Sequence, residues 1–260
     1  MSAAPDARLL AHAQDLLVRA GGGQVTYTAF LTPAEQHRLG QALGRRGEWL
    51  FAGGYGAAER KRLFCLPPYM QGLDEQTLFA YLADTFAETL IPLEIRGSGY
   101  RDLAHRDYLG AILNLGLERS AVGDLCVSDK SRAVLFCDRV IADFLCENLT
   151  RVANDAVRLA PVVLPKGFDG GHTFRRITDT VASPRADNVV AALAGLSRER
   201  AQALFREGMV EIDYEPADKP DRAVFEGTIL VIRGKGKVVI RSLAETTKKG
   251  RLRLAADQYL

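Results

Sequence analysis

Residues 183–214 read SPRADNVVAALAGLSRERAQALFREGMVEIDY, and this stretch decides the fold of the C-terminal part of the chain. It predicts two short helices closed by Gly195 and Gly208, because glycine often follows the last helical turn. Ser183 is expected to cap the first helix, with Pro184 in its opening turn, and Ser197 to cap the second. The predicted apolar faces are Val189, Val190 and Leu193 on the first helix and Ala201, Leu204 and Phe205 on the second. Val210, Ile212 and Tyr214 are predicted to alternate along a strand.

The second of these helices carries a polar pattern on a different face. Arg198, Gln202 and Arg206 are spaced four residues apart, so they share one side of a helix. A helix that buries one side and aligns arginines on another predicts a surface that binds phosphate. The alternative is a helix–turn–helix whose arginines are only solvated.

Charge is distributed unevenly along the 260 residues, although the net charge is only +2. Residues 1–180 carry 20 basic and 21 acidic residues, whereas 181–260 carry 14 and 11. Within 233–253 there are eight basic residues and a single acid, Glu245. A concentrated basic segment is typical of proteins that bind a polyanion.

These features together resemble an S4 RNA-binding domain over about 183–240. The matching motifs are Arg185-x-Asp187, Leu196-Ser197-Arg198-x-Arg200-Ala201, Gly208-x-Val210-x-Ile212, Glu226-Gly227-Thr228-Ile229 and Arg233-Gly-Lys-Gly-Lys237. The resemblance implies two helices followed by a small antiparallel sheet. With the basic segment, it predicts RNA-binding roles for Arg185, Ser197, Arg198, Arg200, Gln202, Arg206, Arg233, Lys235, Lys237, Arg241, Lys248, Lys249 and Arg251.

The preceding residues predict two further units. Residues 1–73 are expected to form an α/β unit, with helices over about 6–20 and 32–44 and paired strands at Trp49–Ala52 and Arg62–Leu66. In 74–180, a helix is followed by a β-α-β-β-α-β order, which is typical of a ferredoxin-like domain and of RNA-binding RRM domains. The strand at 132–137 lacks the RRM aromatic motif, so base stacking on this sheet is not expected. We therefore expect an α+β protein in which residues 181–260 form the third domain.

Several patterns that suggest catalysis lack the partners that catalysis requires. His105-Arg106-Asp107 echoes the kinase catalytic loop, but Ile112 stands where the asparagine is needed. The four histidines are scattered, and the four cysteines lack metal-like spacing and read as reduced thiols. No signal peptide or membrane span is apparent. The sequence thus predicts a cytoplasmic, non-catalytic monomer without cofactor or metal.

Nearly the whole chain, about 25–255, resembles the YlmH family of bacterial S4-domain proteins. The matching segments include Phe30-Leu31-Thr32-Pro33-x-Glu35-Gln36, Gly53-Gly54-Tyr55, Arg101-Asp102-x-x-His105-Arg106-Asp107-Tyr108 and Thr247-Lys-Lys-Gly-Arg-x-Arg253. The resemblance implies binding to rRNA and tRNA on the large ribosomal subunit, during rescue of obstructed subunits whose stalled chains receive alanines without a template. Roles in cell division or photosystem II assembly, or an RNA-modifying enzyme anchored by S4, are the alternatives.

Overall fold

The computed structural model of the chain describes residues 4–44, 47–171, 174–247 and 250–259. Packing of the backbone divides it into two compact units, residues 1–171 and 172–260. Both contain helices and sheets, and the predicted α+β class is confirmed. Within the described residues, no helix is both long enough and apolar enough to cross a membrane.

The first unit begins with two helices packed on a small sheet. These are α1 (Ala4–Ala20) and α2 (Pro33–Leu43), and the sheet has the order β1-β3-β2, where β1 is Thr26–Tyr27, β2 is Trp49–Ala52 and β3 is Arg62–Cys65. Thr32 and Glu35 form the reciprocal cap that starts α2, and Gly44 ends it. The predicted pairing of 49–52 with 62–66 is also present.

The rest of the first unit has the predicted β-α-β-β-α-β order, preceded by α3 (Glu75–Thr89). Its elements are β4 (Ile91–Arg96), α4 (His105–Leu113), β5 (Leu125–Asp129), β6 (Arg132–Cys137), α5 (Arg139–Asn148), β7 (Arg151–Val152), β8 (Asp155–Ala156) and β9 (Arg158–Pro161). The sheet order β5-β6-β4-β9, antiparallel throughout, is that of a ferredoxin-like domain. The small β7–β8 hairpin is an addition that the sequence did not predict.

One face of this sheet packs on α4 and α5, and the other packs on the N-terminal elements. On the second face, Phe136 is fully buried and stacks on Tyr55, with ring centroids 4.9 Å apart. Phe30 and Phe64 belong to the same buried cluster. The face on which an RRM would stack bases is therefore inside the first unit, and the sequence boundary at 73/74 lies between parts that share a core.

Polar contacts join the same two parts. The Asp124 carboxylate accepts hydrogen bonds from the Glu59 and Arg60 amides and from the Tyr55 hydroxyl, at 2.7–2.9 Å. Arg62, nearly buried, donates to Asp138 at 2.8 Å. Residues 53–62, whose glycines and basic end suggested either a phosphate contact or a plain hairpin, thus connect two strands and anchor the ferredoxin-like part.

The second unit is a six-stranded antiparallel sheet with two helices on one face. Its elements are β10 (Phe174–Val181), α6 (Ala186–Ala194), α7 (Arg198–Arg206), β11 (Val210–Ile212), β12 (Glu215–Pro216), β13 (Ile229–Ile232), β14 (Gly236–Thr246) and β15 (Leu252–Tyr259). The strand order is β10-β15-β14-β13-β11-β12. Because β10 pairs with β15 along its full length, the unit begins before residue 181, where the sequence boundary was drawn.

The core of the second unit contains the apolar helical residues predicted to be buried. Two local predictions were wrong. Helix α6 begins after Arg185, not after Ser183, because the 184–185 backbone pairs with 223–224 and the first helical amides donate to the Arg222 and Pro220 carbonyls. Tyr214 does not continue strand β11, since it has a positive φ of 66° in the turn before β12.

Candidate RNA interface

The centre of the candidate interface is Asp187, a carboxylate with no exposed side-chain surface in the first turn of α6. Arg185, the last extended residue before the helix, forks around it: Nε donates to Oδ1 and Nη2 to Oδ2, each at 3.1 Å. Such a two-bond pair fixes the plane of a guanidinium group as well as its position. Arg185 is therefore held in one orientation by the helix that follows it.

Helix α7 brings two more side chains to the same carboxylate. Arg198 Nε donates to Asp187 Oδ2 at 3.1 Å, and Gln202 Nε2 donates to the same oxygen at 2.8 Å. Their spacing of four residues places both on the side of α7 that meets α6. The Ser197 hydroxyl accepts a hydrogen bond from the Arg200 amide and caps α7, so the helix starts at Arg198.

The group formed by Asp187, Arg185, Arg198 and Gln202 carries a net positive charge. Burial raises the pKa of Asp187, but the hydrogen bonds from Arg185, Gln202 and Arg198 outweigh it and hold that pKa at about 2. The carboxylate is thus ionised at neutral pH and offsets one of the two arginines. Arg198 keeps 54% of its side chain exposed, so its guanidinium can meet a second anion. We call Arg185, Asp187, Arg198 and Gln202 the Asp187 cluster.

The other predicted residues of α7 lie outside this cluster. Arg200 is 3.5 Å from Glu207, an exposed pair that contributes little energy. Arg206 is exposed in the last turn of the helix. Of the three residues predicted to share one face, Arg198 and Gln202 are held by Asp187, whereas Arg206 is exposed to solvent.

The basic segment 233–253 is spread along one long hairpin. Arg233 and Lys235 are exposed in the turn between β13 and β14, and the Arg233 amide donates to Met209, just after α7 ends. Arg251 lies at the other turn, between β14 and β15, about 30 Å away at the usual rise of a strand. Lys248 and Lys249 lie outside the described residues.

Arg251 lies on the same side of the unit as the Asp187 cluster. It donates to the Thr180 carbonyl at 2.5 Å. Arg251, Arg198 and Asn188 line one shallow cleft of about 500 Å³. The structure thus gathers Arg185, Arg198 and Gln202 around Asp187 and places Arg251 in the cleft beside Arg198. Arg233 and Lys235 lie at the far end of the hairpin.

Two predicted residues occupy a different surface. Lys237 lies over the Tyr259 ring, with Nζ 4.3 Å from its centroid, and Arg241 Nε donates to Asp257 at 2.8 Å.

The sequence did not predict Asp187 as the residue that organises the site, although a carboxylate between an arginine and an apolar helix was a signal. It also missed Arg176, a second partner of Asp257, because 81 residues separate the two.

The motif His105-Arg106-Asp107, which resembles the kinase catalytic loop, has a structural role at the start of α4. Asp107 accepts a hydrogen bond from the Ala104 amide at 2.8 Å and so helps to start α4. Among the described residues, no group of three or more His, Cys, Asp or Glu side chains is placed to hold a metal ion.

Comparison with known proteins gives matches to most of the chain and to parts of it. Residues 85–166 match the family described as "Putative RNA-binding domain in YlmH". The chain is 30% identical to ribosome-associated protein quality control protein P2 of Bacillus subtilis over 232 residues, 89% of this chain and 86% of that protein.

Two partial or more distant matches complete the comparison. A 57-residue segment is 46% identical to an uncharacterized RNA pseudouridine synthase of Mycobacterium bovis, covering 22% of this chain and 18% of that protein. The solved structure of the cell division protein ylmH from Streptococcus pneumoniae aligns with a TM-score of 0.49 at 18% identity, over 64% of this chain and 95% of that one.

Proposed function

This chain belongs to the YlmH family, and from that premise we propose that it is a non-catalytic RNA-binding protein of ribosome-associated quality control. It acts in the cytoplasm on the large ribosomal subunit, where it contacts rRNA and bound tRNA while stalled nascent chains are handled. Support comes from the Bacillus subtilis relative, whose name states a ribosome-associated quality control role, and from the family match over 85–166.

The observation that carries the proposal is the Asp187 cluster. A lone surface arginine loses side-chain entropy when it fixes on a phosphate, whereas Arg185 and Arg198 are already oriented by a buried carboxylate. The N-terminus of α7, adjacent to Arg198, adds amides and a helix dipole that favour an anion. The cluster therefore binds the RNA backbone, and Arg251 extends the contact across the cleft.

This mode of binding positions RNA without reading its bases, because phosphate contacts carry no sequence information. Recognition of a particular ribosomal site then depends on the shape of the RNA and on which phosphates can reach both Arg198 and Arg251. Exposed Arg233 and Lys235, at the other end of the hairpin, would contact a second segment of the same RNA. The long hairpin acts in this proposal as a spacer between two phosphate contacts.

The test is sedimentation of the full-length protein with large ribosomal subunits at low and moderate salt. Arg198→Ala should release the protein into the supernatant at a lower salt concentration than wild type. Arg19→Ala removes the same charge from an exposed position in α1 and is the matched control. Equal release of both variants would mean that only net charge matters, and no release of either would remove the cluster from the interface.

Two alternatives make different predictions in simple assays. An RNA-modifying enzyme, as the partial similarity to a pseudouridine synthase suggests, would convert uridine in ribosomal RNA when the purified protein is added. An adaptor for cell division or photosystem assembly would stay in the supernatant at every salt concentration, while the large subunits pellet without it. Salt-dependent cosedimentation without base modification is the outcome that our proposal requires.

A further inference from the structure

The sheet of the second unit has an outer face, opposite α6 and α7, whose composition differs from that of the Asp187 cluster. Paired residues of antiparallel strands point to the same side, so Phe174 and Tyr259 share this face. Their rings meet edge to face, with centroids 4.7 Å apart. Phe174 is 40% exposed although it lies in a regular strand.

Cations border these rings. Lys237 Nζ lies 4.3 Å from the Tyr259 centroid and 5.7 Å from that of Tyr214, in the range of cation–π contacts. In the adjoining row, Arg176 and Arg241 donate to opposite oxygens of Asp257. Their side chains remain 61% and 47% exposed.

The second unit therefore uses one device twice. Asp257, like Asp187, is a buried carboxylate that orients two arginines whose outer nitrogens face solvent. Three cations and one carboxylate leave a charge of about +2 around the aromatic pair. What distinguishes this face from the Asp187 cluster is the pair of rings between the cations.

We propose that this outer face binds single-stranded RNA, with unpaired bases stacked on Phe174 and Tyr259 and the backbone held by Arg176, Arg241 and Lys237. Aromatic side chains within a basic surface are the usual means of binding unstacked bases, since every base offers a π-face. A duplex hides its bases and would use the Asp187 cluster instead. This surface goes beyond the proposed function because its aromatic residues are separate from that cluster.

A protein partner is the competing occupant, and the observations favour RNA over it. Protein interfaces concentrate apolar area at their centre, where lysine and acidic residues are depleted although arginine is not. Here the exposed ring of Phe174 lies beside a lysine-covered tyrosine and an arginine pair. Such interleaving matches the alternation of base and phosphate along a single strand.

The first experiment leaves the full-length protein unchanged and alters the RNA. Fluorescence anisotropy should compare a labelled 12-nucleotide oligouridylate with an oligomer of the same length whose nucleobases are removed, so that the phosphates are equal in number. Stacking of a single base contributes enough to make the oligouridylate bind roughly tenfold more tightly. Equal affinities would overturn the proposal, and would leave a protein as the occupant of this face.

The second experiment locates the effect on the protein. Phe174→Leu combined with Tyr259→Leu keeps apolar bulk in the strands but removes the rings, and should abolish the preference for the oligouridylate. Phe225→Leu changes an exposed aromatic outside the strands and is the control. A preference that persists in the double variant would overturn the proposal. Arg198→Ala, which tests the Asp187 cluster, should weaken binding to the large ribosomal subunit and leave the affinities for both oligomers unchanged, so failure of either proposal is recognisable.

Discussion

Asp187 separates two explanations of RNA binding that predict opposite results. Replacing it with asparagine removes one negative charge and raises the net charge of the protein by one, so an interface governed by net charge would bind RNA more tightly. In the structure, the carboxylate orients Arg185 and Arg198. An amide nitrogen in place of one oxygen would face their donors, and leaving a buried polar group unsatisfied costs roughly 1–3 kcal/mol.

We therefore expect Asp187→Asn to weaken binding of rRNA fragments despite the gain in charge. Anisotropy titrations with wild type and variant at one salt concentration would measure this. Urea unfolding checks that the second unit still folds at the assay temperature. Tighter binding by a folded Asp187→Asn protein would contradict the role of this residue in orienting the arginines.

The same carboxylate predicts a dependence of stability on pH. Its folded-state pKa is about 2, below the ordinary value of 3.8, so ionised Asp187 stabilises the fold. That contribution is fully present above the unfolded pKa and is lost as pH falls toward 2. Wild type should lose more stability than Asp187→Asn between pH 5 and pH 2.5, as measured by urea midpoints. Parallel losses would mean that other carboxylates account for the effect.

At the scale of elements, the question is whether the β13–β14 turn, at the end of the basic segment far from Arg251, contacts RNA. Lys235 is exposed there, whereas Lys237 lies against the Tyr259 ring. Lys235→Ala should lower the slope of log affinity against log salt by roughly 0.7–0.9, the value for one phosphate contact, and leave stability within about 0.5 kcal/mol. An unchanged slope would remove the turn from the footprint.

Lys237→Ala should differ from Lys235→Ala in a second respect. It removes a cation from over a ring, an interaction of about 0.5–1 kcal/mol at exposed sites, so the unfolding midpoint should fall as well. Thermal unfolding of the two single variants makes the comparison. If Lys237→Ala changes only RNA binding, the cation–π contact contributes nothing to the fold.

Elements defined by neighbouring residues could be predicted from the sequence, and those defined by distant ones could not. Helix α7 carries its own cap and its own terminal glycine, so its bounds were foreseen. The start of α6 was not, because its first amides bind carbonyls at 220 and 222, far along the chain. The arginine pair on Asp257 likewise depends on strand register between β10, β14 and β15.

The candidate site shows the same division. Residue spacing placed Arg198 and Gln202 on one helical face, and the concentration of basic residues in 233–253 predicted that this segment binds a polyanion. The sequence could not show that a single carboxylate collects Arg185, Arg198 and Gln202, or that one hairpin carries the basic residues to opposite ends of the unit. Those facts arise from packing between elements.

For the molecule as a whole, the remaining question is how RNA binding is divided between the two units. The first contains the family-matched residues 85–166, but the sheet face that an RRM would use is packed against N-terminal elements. The second contains the Asp187 cluster and, among the described residues, the hairpin with its basic turns. We expect most of the RNA affinity to reside in the second unit.

Truncation tests this, and the structure dictates where to cut. A chain ending at residue 180 would keep β10 without its partner β15 and expose an unpaired strand, so the chain should end at 171. Residues 1–171 should bind rRNA or tRNA at least tenfold more weakly than the full-length protein at the same salt, with circular dichroism as the check on folding. If a folded 1–171 chain binds as tightly as the whole, the phosphate contacts belong to the ferredoxin-like part. Its exposed arginines at the α4 and β7–β9 surface would then be the residues to replace next.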